Sequence, residues 1–246
     1  MKKFLQITAT SGIMMAASAM AQEEVEVEEV IDTSWESSVD FGLNLSKGNT
    51  DSLLVRGGIQ TEKKEDKDAY FASLGYSYGE EDSATNQDEI VGKASWRRTL
   101  TGKNFFGVLL DGRSDQFADL DYRFSLNFTY GYYWIDTEET FFSTEVGLGV
   151  TTEDKGRGND TYMNGLFVQR FEHKFNESAK LFESFSISPR LDDFSDYHLE
   201  FQAGLETKIT ETMAFKVSLE NRYESKPADD KEKNDLKLVA GVSYKF

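Results

Sequence analysis

The sequence has 246 residues, no cysteine and a formal charge of −17. That charge excludes a nucleic-acid partner, because nothing offers the basic stripe that phosphates need. The missing thiols exclude disulfide staples, and no run of about 18 apolar residues offers a membrane-spanning helix.

The chain opens MKKFLQITATSGIMMAASAMA. Lys2 and Lys3, a short apolar stretch and closing small residues read as a secretory signal peptide, residues 1–21, cut after Ala21. Thr8, Thr10, Ser11 and Gly12 break the apolar part, which argues against a retained membrane helix. Residues 22–34, beginning QEEVEVEE, read as an acidic periplasmic tail. Residues 35–246 then form the folded domain.

From there a period of two recurs, the mark of strands whose side chains alternate between faces. Val39, Phe41, Leu43 and Leu45 make the first apolar set; Leu53, Val55, Gly57 and Ile59 the second. Tyr70, Ala72, Leu74, Tyr76 and Tyr78 follow, then Ile90, Gly92, Ala94 and Trp96, then Phe106, Val108 and Leu110. The clearest run is DYRFSLNFTYGYYW, with Tyr122, Phe124, Leu126, Phe128, Tyr130, Tyr132 and Trp134 on one face. Phe142, Thr144, Val146, Leu148 and Val150 come next. Near 161–172 the pattern does not choose a face, with Leu166 and Val168 set against Phe167 and Phe171. Leu181, Phe185 and Ile187 suggest a ninth strand whose register also aims Glu183 outward, so a bulge or register shift is expected there. The last three sets are Tyr197–Leu205, Met213–Leu219 and Leu236–Phe246, taken at alternate residues.

These sets predict an all-β fold: a transmembrane antiparallel up-and-down β-barrel of about twelve strands with short periplasmic turns. The two irregular strands leave ten or fourteen as alternatives. After odd-numbered strands the connections are acidic and mostly long, as in GEEDSATNQD and SKPADDKEKN; after even-numbered strands they are shorter on average. A soluble sandwich has the same alternation, but its strands are typically about 5–6 residues, against about 9–11 for a tilted strand crossing a bilayer. A closed ring of twelve strands is also too wide for apolar side chains to fill, so the apolar set belongs outside, against lipid. Aromatic residues are expected in a belt at the periplasmic end: Trp35, Trp96 and Trp134, with Phe105, Phe142, Phe171, Phe215 and Phe246.

Two stretches carry a resemblance. Ala240, Val242, Tyr244 and the terminal Phe246 resemble the last strand of bacterial outer-membrane proteins, which implies recognition by the barrel-assembly machinery. LNLSKGNTDS, with its Gly48-Asn49-Thr50 turn, resembles the YdiY-like family, described as salt-induced outer-membrane proteins of unknown function. The resemblance implies a place in the bacterial outer membrane, among its lipid and lipopolysaccharide, and supplies no catalytic residue.

No motif assigns an enzymatic activity, a cofactor or a metal. His198, close to Asp192, Asp193, Ser195 and Asp196, invites a hydrolase reading, lipase or protease, against the plainer one of a solvated rim histidine. His173 falls in a turn. The acidic loops have no ordered cation-binding spacing. The inward register is more informative. It is expected to line the lumen with Arg56, Lys93, Arg97, Arg113, Arg123, Lys216, Arg222 and Lys237, and with Asp40, Glu89, Asp111, Glu145, Glu200, Glu206 and Glu220. Inward glycines (Gly42, Gly58, Gly75, Gly131, Gly147, Gly204 and Gly241) are expected to leave room. A turn centred on Glu211 would set Glu206 opposite Lys216 and Glu200 opposite Arg222, both favourable cross-strand pairs. The expected function is a narrow passive channel for small solutes or ions, or an envelope protein of osmotic or salt stress; the alternatives are the rim hydrolase and a plugged structural barrel.

Overall fold

The computed structural model describes residues 35–46, 52–81, 84–156 and 158–246. The expected leader, acidic tail and Gly48-Asn49-Thr50 turn lie outside the described residues. Twelve strands form one closed antiparallel barrel in sequence order, β1 pairing with β12. They are β1 (Glu36–Ser46), β2 (Ser52–Glu65), β3 (Asp68–Glu81), β4 (Ala84–Thr101), β5 (Asn104–Asp115) and β6 (Leu120–Asp136). The ring continues with β7 (Thr140–Asp154), β8 (Asn159–Lys174), β9 (Ala179–Pro189), β10 (Tyr197–Lys208), β11 (Met213–Glu224) and β12 (Asn234–Lys245). Among the described residues no helix is long and apolar enough to cross a membrane. A barrel crosses with strands, closed so that every backbone group finds a partner in hydrocarbon.

The alternation is inside-out. On β6, outward Phe128 is 53% exposed while its neighbours Asn127 and Thr129, facing inward, are 2% exposed. At β10–β11, Glu206 lies opposite Lys216 and Glu200 opposite Arg222, the register derived from the charges.

The turn end of the barrel, where β1 begins and β12 ends, carries the three tryptophans. Trp35 sits 6.3 Å from Tyr70 and Trp96 6.2 Å from Phe106, measured between ring centres. The indole N–H of Trp96 donates to Asp68 at 2.9 Å, and that of Trp134 to Thr144 at 2.9 Å. Such half-polar rings suit a headgroup boundary. Phe105 departs from the expected belt: it faces inward, is fully buried, and stacks on Tyr133 at 4.5 Å. Outward Phe106 takes the belt position that alternation requires.

Several expectations are corrected. No register shift falls within β9, which pairs evenly with both neighbours, so Glu183 does face outward and accepts from Gln169 at 3.3 Å. The shifts lie instead at Gly79/Glu80, Thr99/Thr101, Arg113/Asp115 and Tyr133/Ile135. On β8 the choice of face is settled by its partners: Phe167 and Phe171 sit beside outward Val146 and Phe142, and Leu166 and Val168 turn inward. His173 belongs to β8 rather than to a turn, its Nδ1 2.9 Å from the Thr140 hydroxyl. Most loops at the other end, the loop end, are shorter than expected. The acidic stretch between β3 and β4 is almost wholly strand, Glu80 pairing with Thr85 and Glu81 with Ala84. A backbone ladder does not require apolar side chains, so strands continue past the apolar band. Among the described residues, 190–196 and 225–233 remain as longer loops.

Candidate functional site

Every charged residue expected on the inward register lies there, and the barrel's closure brings distant strands together across the lumen. The network begins with Lys93 on β4, whose Nζ is 2.8 Å from Glu200 on β10, half the ring away. Glu200 is also 3.7 Å from the Arg222 guanidinium, and Arg222 pairs with Glu89. Glu89, 2% exposed at its side chain, further receives Arg113 at 3.0 Å and Lys237 at 3.4 Å. Arg113 continues to Asp115 at 2.7 Å and Glu224 at 3.6 Å. Glu224 receives Arg123 at 2.8 Å, and Arg123 reaches Glu153 at 2.6 Å. Lys155 closes the chain on Glu153 at 3.2 Å. Arg56 pairs separately with Glu220 at 2.7 Å, between β2 and β11. Acid and base alternate along this path, so each charge removed from bulk water keeps a partner, the condition under which enclosed charges are tolerated.

A second cluster lies nearer the turn end. Glu145 accepts from Arg97 at 2.9 Å, from Arg170 at 2.6 Å and from the Thr129 hydroxyl at 2.8 Å. Its position is tight because Gly107 faces it: a Cβ there would lie 2.6 Å from Thr129 Oγ1 and 3.4 Å from Glu145 Oε2.

The inward glycines do not simply leave space. A Cβ on Gly131 would fall 2.1 Å from the Phe105 ring, and one on Gly204 2.4 Å from that of Phe182. Both are sockets for aromatic rings. Lys216 lies over the Phe182 ring at 4.6 Å, while Glu206 approaches Lys180 at 3.8 Å. The register of the Glu206–Lys216 pair is therefore right, but each charge turns to another partner.

Between these features runs a cavity of about 1050 Å³. Its lining extends from Asp66, Lys67 and Glu138 at the turn end to Arg113, Arg123, Arg222 and His198, which form its ceiling. Asp40 and Asp111 also line it. A separate pocket of about 570 Å³ lies at the loop end, among Asp119, Asp121, Lys155 and Ala228. The ion-pair network stands between the two. Above it, loop 225–233 is pinned: Lys226 pairs with Asp193, Lys155 donates to the Lys226 carbonyl at 2.9 Å, and Lys231 is 3.1 Å from Asp119. Ala228 is buried beneath. The Lys226 ammonium and the Ser195 hydroxyl, both donating to Asp193, pull its carboxyl down to about 2. Hydrogen bonding to Arg190 lowers that of Asp192, whereas burial raises that of Asp196.

His198 faces the lumen but is not a solvated rim group. Its Nε2 is 3.3 Å from the Tyr162 hydroxyl, and its enclosed Nδ1 has no hydrogen-bond partner and lies 3.9 Å from Glu224. The Ser195 hydroxyl donates to Asp193 at 2.6 Å. The two side chains thus bond different partners, Asp193 and Tyr162. Among the described residues, no group of three or more potential ligands could hold a metal ion.

The family described as "Protein of unknown function, DUF481" matches residues 39–246. The chain belongs to this family. No curated protein matches it. Among solved structures, the NanC porin superposes with a TM-score of 0.55 at 8% identity, covering 87% of this chain and 100% of the porin. An outer membrane channel from Pseudomonas putida F1 gives 0.50 at 9% identity, covering 86% and 95%. The translocator domain of the autotransporter NalP from Neisseria meningitidis gives 0.48 at 13% identity, covering 86% and 87%. The first two likenesses place the fold among outer-membrane barrels.

Proposed function

We propose that the protein is a narrow channel of the bacterial outer membrane for small ions or solutes, held closed at its loop end by the ion-pair network. The observation carrying this reading is the 1050 Å³ charged cavity, which runs from the turn end and stops at the Arg113, Arg123 and Arg222 ceiling. A purely structural barrel has no need of a charge-lined cavity of that volume. In outer-membrane barrels short turns face the periplasm, so the cavity would be entered from there. The charges lining it would set selectivity. The leader delivers the chain, the strand ending at Phe246 presents it to the assembly machinery, and the outward apolar face meets lipid and lipopolysaccharide. A part in osmotic or salt stress, as the YdiY-like resemblance implies, fits a closed pore whose barrier is ionic. No catalytic step belongs to this reading.

One observation favours a sealed structural barrel instead: Lys93–Glu200 and Arg113–Glu224 each join strands half the ring apart. Single-channel recording in planar bilayers separates the two. The double substitution Glu89→Ala with Arg222→Ala removes one charge of each sign from the ceiling. The expected result is small or rare wild-type currents and a several-fold larger conductance in the double variant. If neither conducts above background, the channel reading fails and the sealed barrel stands.

A further inference from the structure

A charge on the outer face of a barrel needs a reason, because lipid tails offer it no partner. Strand β9 carries one. It faces lipid through Leu181, Glu183, Phe185 and Ile187, and its even pairing with both neighbours keeps Glu183 outward. Glu183 is half-buried and accepts one hydrogen bond, from the Gln169 amide at 3.3 Å. The nearby Lys180 faces the lumen and turns to Glu172 and Glu206, at 3.4 and 3.8 Å. Among the described residues no cation pairs with Glu183.

A continuous polar row leads to this carboxylate across the outer face of four strands. The Trp134 indole on β6 donates to Thr144 on β7 at 2.9 Å. Thr144 lies opposite Gln169 on β8, and Gln169 reaches Glu183 on β9. The register partners of Glu183 are Phe171 on one side and Ala203 on the other. Ala203 is much smaller than Phe201 and Leu205, which precede and follow it on the same face, so the surface is indented beside the carboxylate. Glu183 thus has an aromatic ring on one flank and an open place on the other.

Depth decides what can fill that place. Four residues separate Glu183 from the turn-end start of β9 at Ala179. With a rise of about 3.3 Å per residue and a tilt of about 45°, it lies roughly 9 Å inside that end, in an apolar band about 25 Å tall. Below it, Leu181 and the turn residues Phe175 and Ile209, each of the last two 58% exposed, still call for an apolar surrounding. The polar row also ties it to Trp134, a belt residue suited to the headgroup boundary. A lipid headgroup reaches this level, whereas bulk water does not.

From these observations we infer that Glu183 and Gln169, flanked by Phe171 and Ala203, bind the primary ammonium of a phosphatidylethanolamine in the leaflet at the turn end. The second carboxylate oxygen and the Gln169 side-chain carbonyl accept its N–H groups, and the Phe171 ring adds a cation–π flank. A choline headgroup has the charge but no N–H to donate. Phosphatidylglycerol has no cation, and its phosphate is repelled. A second barrel docked symmetrically on this row would set carboxylate near carboxylate, which disfavours that occupant. The site does not depend on whether the barrel conducts.

The test uses the full mature chain, folded in detergent micelles. It is titrated with phosphatidylethanolamine, phosphatidylcholine or phosphatidylglycerol of identical acyl chains, and bound lipid is counted by native mass spectrometry. The parent protein is expected to take up the ethanolamine lipid at about ten-fold lower concentration than either other lipid, the worth of one charge-assisted contact. Glu183→Gln should lower that preference to about the choline level, and Glu183→Lys should reverse it in favour of phosphatidylglycerol. Ala203→Phe, which fills the indentation and leaves the carboxylate in place, should also abolish it. Equal uptake of the three lipids by the parent, which needs no variant to fold, overturns the site. So does a preference that survives in Glu183→Gln, or a Glu183-dependent dimer in place of the bound lipid.

Discussion

Replacing Glu145 with alanine tests whether the enclosed charges hold the barrel together. The carboxylate is 1% exposed and accepts from two guanidinium groups and one hydroxyl, at 2.6 to 2.9 Å. Removing it leaves Arg97 and Arg170 facing each other without their shared anion, and Arg97 Nε already lacks a partner. Breaking a buried pair by deleting one member costs about 3–5 kcal/mol. Arg170 keeps 32% side-chain exposure and some water, which places the expected loss at the lower end, about 3 kcal/mol. Glu145→Gln keeps one acceptor and should lose about half as much; Thr129→Val removes only a neutral donor and should lose about 1 kcal/mol. Urea unfolding from phospholipid vesicles, followed through the tryptophans at the turn end, measures all three. An alanine variant within about 1 kcal/mol of the parent would refute the argument, showing that lumen water replaces the carboxylate at little cost.

Gly131→Ala should expel the Phe105 ring and destabilise the barrel by about 2 kcal/mol, the usual penalty of overpacking; the added substitution Phe105→Leu should recover part of it in the same unfolding assay. Asp193, its carboxyl lowered by Lys226 and Ser195, contributes to the loop latch above its unfolded value near 4 and loses that contribution as pH falls toward about 2. Protease cleavage within 225–233 should therefore rise across that acid interval, and Asp193→Asn should show the rise already at neutral pH. Cleavage independent of pH in the parent protein would contradict the latch.

Much of the fold was legible because lipid imposes one simple rule on every strand. Apolar residues at alternate positions fixed the faces, and opposite charges fixed the β10–β11 register. What failed did so for local reasons. Phe105 read as a belt residue because its type fits, although its position, next to outward Phe106, required it to face in. The polar stretch between β3 and β4 read as a loop because side-chain character was the only signal, while the ladder there depends on the backbone. Glu183 suggested a bulge, but a carboxylate near the headgroup level, paired with Gln169, needs none.

The lumen was legible as a list of charges and not as a network. Alternation tells which residues face inward; it does not tell that β4 meets β10, since that depends on ring closure. Nor does it show that Lys216 prefers the Phe182 ring to Glu206.

The bridges from Lys93 to Glu200 and from Arg113 to Glu224 behave like spokes in a hoop. A ring of hydrogen-bonded strands resists stretching along its circumference but flattens easily into an ellipse. Struts between opposite walls remove that soft mode, so the cross-section stays rigid where they lie.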